Sequence, residues 1–331
     1  MRFVNDWQRL DSASEAMRLR ENLPELAEYC GQVASATGIP LQHVVKDFWI
    51  TEALRAMAVA SARQHVRLVF KGGTSLSKGY RLINRFSEDI DLLCVAGGGQ
   101  DAIHSSMRRL HAAVSQHLGV EASVDPAKSA KGQFRVAEFT YPGQVVLDGA
   151  VFEFLRIELS TWGGAIPSEV KTLRSLLSEH KALLGSAAEY DEFSPFEITV
   201  LRPERTLVEK LVILHDAAVS RDELRQRRTA RHYYDVWALL GRSDIREPLA
   251  NIGTLVVSNE VYAHNMASKT RTSRRRPPGG FAASRAFTGR GPIVARDEYS
   301  KRVIGRLIWP GSDQPSFDEC LSRVREYGDL L

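Results

Sequence analysis

The sequence predicts a mixed α/β (α+β) core set between two helical segments. Three observations carry that expectation. Apolar residues recur at a helical period before residue 65, short alternating or apolar runs bounded by glycines follow to residue 201, and helical periodicity returns from Pro203 onward. These shifts divide the 331 residues into an N-terminal helical segment over 1–65, an α/β core over 66–201 and a helical domain over 202–331.

Residues 12–65 read as helical. Val44, Val45, Phe48, Trp49, Leu54 and Met57 keep close to a repeat of about 3.6 residues, and Pro40 stands where a helix can begin. Val66, Leu68, Val69 and Phe70 then form a short apolar strand stopped by Gly72 and Gly73. Thr74–Asn84 reads as a helix of about three turns. Residues 87–95 read as a strand with Ile90, Leu92 and Leu93 as its apolar set, ended by a turn at Gly97–Gly99. An amphipathic helix is expected over 100–118, strands over 134–142 and 152–160, a helix over 168–186 and a last strand over 196–201. Pro203 opens the helical region, which an Arg- and Pro-Gly-rich loop over 269–291 interrupts.

Composition is that of a globular protein, with 44% hydrophobic and 25% charged residues. No run of about 18 apolar residues is present, so no membrane span is expected. Three scattered cysteines, Cys30, Cys94 and Cys320, argue for a reducing compartment, and a cytoplasmic location is expected. The net charge of +4 is uneven. Residues 221–231, with Arg227 and Arg228, hold five arginines against two acids, and residues 269–276, with Arg274, Arg275 and Arg276, hold five cations and no acid. Either run permits a polyanionic partner; the plain alternatives are a solvated helix face and a flexible basic loop.

The chemistry concentrates in FKGGTSLSKGYRLINRFSEDIDLL, residues 70–93. A strand ending in Gly72-Gly73 and feeding a helix leaves backbone N–H groups free to meet phosphate, with Thr74, Ser75 and Lys78 at hand. The GxxxxGK[ST] order is absent, so this is not a Walker A loop. Asp89 and Asp91, at i and i+2 of one strand, share a face and can meet one hard cation. Glu158, between Ile157 and Leu159, is the candidate third carboxylate; an ion pair with Arg156 is its alternative. Three acids beside a phosphate-binding turn suit two-metal phosphoryl transfer. Lys210 lies on a helix apolar on most faces and either snorkels or faces a cleft. Asp235 has Arg231 within a turn as a possible partner. His215 and His232 are candidate substrate contacts, although a lone helical histidine is more often packed in a core.

The spacing of Gly-Gly-Thr and Asp-x-Asp with a distant acid resembles the DNA polymerase β-like nucleotidyltransferase superfamily. The fuller string resembles its AbiEii/AbiGii toxin branch, supported by VVKDFWITEAL (44–54), RPERTLVEKLVILH (202–215) and ARHYYDVWALL (230–240). The resemblance implies a polymerase β-like core with a mixed sheet. It implies transfer of a nucleotidyl group from an NTP, in several relatives onto tRNA 3′ ends, with Mg²⁺ or Mn²⁺ as cofactor. It implies Gly73 and Thr74, with neighbouring Gly72, at the triphosphate and Ser87 supporting the nucleotide pocket. Asp89, Asp91 and Glu158 would bind metal, Lys210 would contact the triphosphate, and Asp235 would act near the acceptor or fix Lys210. It also implies a cognate antitoxin, AbiEi-like and often a winged-helix repressor. NMP transfer to a protein or small molecule, and a catalytically silent binding fold, are the alternatives.

Overall fold

The computed structural model describes residues 18–87, 89–142, 154–184, 190–220, 222–267 and 273–331. The beginning of the expected helical segment (12–17), the first residues of the strand expected at 152, the end of the 168–186 helix, Arg221 and residues 269–272 lie outside them.

Two helices come first, α1 (Leu23–Thr37) and α2 (Leu41–Gln64). Asn22 caps α1 at its start and Gly38, at φ 72°, ends it in the left-handed conformation that glycine adopts without steric cost. β1 (Arg67–Lys71) leads into the short turn α3 (Gly72–Thr74), continued as one wide helical turn over Ser75–Gly79. β2 (Asp89–Val95), α4 (Gln100–Leu118), β3 (Ala122–Ala130), β4 (Phe134–Phe139), β5 (Leu155–Ser160), β6 (Ser168–Leu173), α5 (Leu176–Glu179) and β7 (Phe196–Leu201) complete the α/β part. Helices α6 (Pro203–Ser220), α7 (Glu223–Thr229), α8 (Arg231–Leu240), α9 (Ser243–Ile252), α10 (Thr254–Ala267), α11 (Ile293–Glu298) and α12 (Phe317–Glu326) follow.

The strands form one mixed sheet of order β3-β4-β5-β2-β1-β7-β6. β2 runs parallel to β5 and β1 parallel to β7; the other neighbours are antiparallel. Alternation along the strands separates two faces. Phe70, Leu92, Ile157 and Leu159 point into a core with Phe48, Trp49, Met57, Leu110 and Val114 of α2 and α4. Asp89, Asp91 and Glu158 alternate with those residues and occupy the opposite face. α2 is buried on most sides, consistent with its position between α1, α4 and the sheet. A second core is built from α6, α8 and the later helices, and it takes in Leu76 and Ile83 from the segment between β1 and β2.

Two sequence expectations are corrected. The helix expected over Thr74–Asn84 stops at Gly79, because the next segment is drawn out to meet the C-terminal part of the chain. The Phe86 amide donates to the Leu307 carbonyl at 2.8 Å and the Trp309 amide to that of Asn84 at 2.9 Å. The helix expected over 168–186 begins instead as β6, paired along its length with β7. Val170 there is 58% exposed, so the segment is an edge strand whose polar, charged residues hide its strand character. β3, not anticipated as a strand, borders the sheet at the other edge.

Candidate active site

Steric limits explain the glycine turn. Gly72 has φ +79°, and a Cβ there would lie 2.2 Å from Asp91 Oδ2. A Cβ on Gly73 would come within 2.8 Å of both Arg85 Nη2 and Ser87 Oγ. The backbone is thus pressed against the side chains of β2 and its approach segment. The Thr74 hydroxyl donates to the Asp89 carbonyl, which fastens the turn to β2, and Ser75 Oγ donates to the Gly72 carbonyl at 3.0 Å. Gly72→Ala should therefore displace Asp91 and force an unfavourable φ, costing about 1–2 kcal/mol of stability together with activity. Chemical denaturation tests this, and an unchanged midpoint would contradict it.

Strand register brings the acids together. Asp91 lies opposite Lys71 on β1 and opposite Glu158 on β5. Asp89, Asp91 and Glu158 line one cleft of about 230 Å³ with Gly72, Gly73 and Lys210. Burial, then the Glu158 carboxylate, then Asp89 push the Asp91 carboxyl up to about 7, against the pull of Lys71 and Arg231. Asp89 Oδ2 receives Arg231 Nη2 at 3.4 Å, whereas Asp91 and Glu158 make no hydrogen bond or ion pair among the described residues. The alternative pairing of Glu158 with Arg156 is thus not formed. Among the described residues no three His, Cys, Asp or Glu side chains stand close enough to hold a metal ion. The acids share the cleft without meeting at a point, with Asp89 turned towards Arg231.

Facing them is a buried charge cluster. Lys210 Nζ lies 2.7 Å from Asp235 Oδ2, and His232 Nδ1 lies 3.2 Å from each of these atoms. Arg85 donates to the same carboxylate through Nε at 2.6 Å and Nη2 at 2.7 Å. Arg85 and Asp235 are both fully buried. Burial opposes ionisation of Asp235, yet the Arg85 and Lys210 cations hold it well below the ordinary carboxylate range. Burial pushes Lys210 down while Asp235 supports its charge, and burial with Lys210 drives His232 down to about 3. His232 is therefore a neutral member of the cluster. Asp235 pairs with Arg85 and Lys210; Arg231, considered from spacing alone, goes to Asp89.

Other singled-out residues sit further off. Lys78 Nζ pairs with Asp47 Oδ1 at 2.6 Å and lines an adjoining cavity with Thr74 and Ser87; Ser87 borders both cavities. His215 is tied to Ser284 Oγ at 2.8 Å, away from the cleft. The two basic runs meet at buried Asp216. That carboxylate accepts the Arg274 amide at 2.9 Å and Ser273 Oγ at 3.2 Å, and Arg225 Nη2 lies 3.6 Å away. Asn265, on the cleft wall, donates to Ser273 Oγ at 3.3 Å, so the basic loop starts at the cleft rim. Arg227, Arg228, Arg274 and Arg275 are exposed, with Arg275 over the Tyr262 ring; Arg276 Nε donates to the Leu331 carbonyl at 2.6 Å.

Sequence reasoning missed Arg85, and it missed Lys71 and Glu209, which line the cleft 3.9 Å apart; it considered Arg231 only for Asp235, not for Asp89. Arg85 had one available signal, a strong base two residues before Ser87 in the stretch that approaches the Asp-x-Asp strand.

A search of curated proteins returned no match. Among solved structures, MenT4, a nucleotidyltransferase toxin from Mycobacterium tuberculosis H37Rv, matches over 91% of this chain and 88% of its own, at 18% identity and a TM-score of 0.50. That likeness shows a shared mixed α/β fold. The profile described as "Nucleotidyl transferase AbiEii toxin, Type IV TA system" matches residues 53–320. With the glycine turn, the in-register acids and the lysine helix all inside that span, this chain belongs to the AbiEii family of nucleotidyltransferase toxins of type IV toxin–antitoxin systems.

Proposed function

We propose that the protein transfers an NMP group from an NTP to the 3′ end of a tRNA in a Mg²⁺-dependent reaction, and that a cognate AbiEi-like antitoxin counters it. The observation that carries the reading is the register pairing of Asp91 with Glu158 in a cleft also lined by Gly72, Gly73 and Lys210. A carboxylate that burial and then its neighbouring carboxylates push up to about 7, with no ion pair among the described residues, has the chemistry of a divalent-ion site. Asp91 and Glu158, joined by Asp89 on turning away from Arg231, would hold the metal, which when bound would neutralise phosphate charge and lower the pKa of the acceptor hydroxyl.

The chain's own residues supply the rest. Backbone N–H groups at Gly72 and Gly73 would take phosphate oxygens, and Ser87 would add a hydroxyl. Lys210, kept charged by Asp235, would neutralise the triphosphate, while Arg85 holds Asp235 in place from behind. The acceptor oxygen bonds to the α-phosphorus as the bond to the departing pyrophosphate breaks, and the hydroxyl proton passes to cleft water. Positioning and charge neutralisation account for such a step without a covalent nucleophile.

Incubation with labelled NTPs, Mg²⁺ and total tRNA tests the reading. Label at RNA 3′ ends is expected; label in protein alone, or none, would overturn the assigned acceptor. The exposed arginines at the cleft rim would bind the acceptor backbone. Replacing the exposed Arg274 and Arg275 with Ser should weaken RNA binding and reduce the slope of log K against log salt by about 1–2. An unchanged slope would remove this loop from the RNA interface.

A further inference from the structure

We propose a second phosphate-binding site on the face of the sheet opposite the cleft. It lies in a groove of about 530 Å³ between α4 and the edge strand β3 with its neighbour β4, lined by Arg108, Arg109 and His111 of α4 and by Arg135 of β4. The register places it on that face. Arg135 pairs with Leu159 and therefore shares the side of the apolar core, whereas Val136 pairs with Glu158 on the catalytic side.

The groove holds cations and buried donors without acceptors. Arg135 Nε is buried with no hydrogen-bond partner. His111 is 2% exposed, stands edge-on to Phe139, and has no partner on either ring nitrogen. His104 Nδ1, nearby, is also unsatisfied. Arg109 is engaged by Gln64 at 3.2 Å and Ser106 at 3.1 Å, but Arg108 and Arg135 form no ion pair among the described residues. Their proximity registers electrostatically: burial, with Arg108 adding to it, lowers Arg135, and burial with Arg135 drives His111 down to about 3. No described carboxylate lines the groove, and Asp101 close by is taken by Lys131.

A solvated surface face would leave such groups in water. Here Arg135 Nε and His111 are shielded from it, and unpaired buried donors are costly unless a ligand satisfies them. The missing partner is an anion. Two guanidinium forks with an imidazole N–H as a neutral third donor suit a tetrahedral phosphate, and the open groove leaves room for more than one. Free polyphosphate and an RNA backbone offer the same chemistry. The inference does not depend on the transfer reaction, because it concerns the other face of the sheet.

Imidazole ¹H–¹⁵N spectra of the full chain test it, with His111 reporting the groove and His232 the cleft in the same sample. Inorganic tripolyphosphate and an RNA of about 12 nucleotides are the two probes. At least one should shift the His111 resonances, and the probe acting at the lower concentration identifies the source. Arg108→Gln with Arg135→Gln should weaken the His111 response at least tenfold while the His232 response persists. Arg108→Gln alone, at an exposed position, carries the test if the double variant does not fold. A His111 signal unmoved by both probes, or equally responsive in the variants, would overturn the site.

Discussion

Asp91→Asn is expected to reduce nucleotidyl transfer by about 10³-fold or more while making the metal-free protein more stable. The catalytic loss follows from removing one of three carboxylates assigned to the metal. Metal-held charge stabilisation amounts to several kcal/mol, and about 4 kcal/mol corresponds to a factor of about 10³. The gain in stability follows from crowding. Asp91 faces Glu158 across the strand pair and lies near Asp89, and its principal counter-charges, Lys71 and Arg231, do not bond to it. An amide of the same shape removes that repulsion, and a gain of about 1 kcal/mol is expected, less than a fully buried site would give because the cleft admits solvent. Single-turnover transfer and calorimetry without metal measure the two effects. Activity within tenfold of wild type, or a lowered melting temperature, would refute the assignment.

Asp235→Ala is expected to cost about 3–5 kcal/mol of stability, because it leaves Arg85 and Lys210 buried without their anion. The effect has a pH signature. Asp235 has a folded-state pKa well below the ordinary value, so its contribution is fully present above the unfolded value of about 3.9 and disappears as pH falls below it. The gap between wild type and variant should stay level from about pH 5 to neutrality and close in stronger acid. Urea unfolding at several pH values measures this. A gap below about 1 kcal/mol at neutral pH would mean that the cluster is not the buried ion network described here.

Legibility from sequence depended on how local the cause was. Asp89 and Asp91 were readable because i and i+2 on a strand must share a face, and Glu158 because an acid between Ile157 and Leu159 requires a reason. The glycine turn was readable as a sharp strand-to-helix turn, but the need for Gly72 and Gly73 to clear Asp91, Arg85 and Ser87 became apparent only with their neighbours in place. Arg85 escaped notice because its role depends on a carboxylate 150 residues later. Lys78, a natural phosphate ligand by position, is diverted by Asp47, whose approach depends on how α2 packs. β6 was misread because its partner strand β7, not its own residues, makes it a strand.

The bridge from Arg85 to Asp235, with the backbone pairing of Asn84 and Phe86 to Leu307 and Trp309, joins the segment that approaches β2 to later parts of the chain. During translation, a nascent polypeptide displays its glycine bend and all three acids long before the residues that lock the Arg85 segment have left the ribosome. A half-made copy can thus assemble its sheet while the cleft lacks its finished far wall. The far wall is therefore the last part of the cleft to be completed during synthesis.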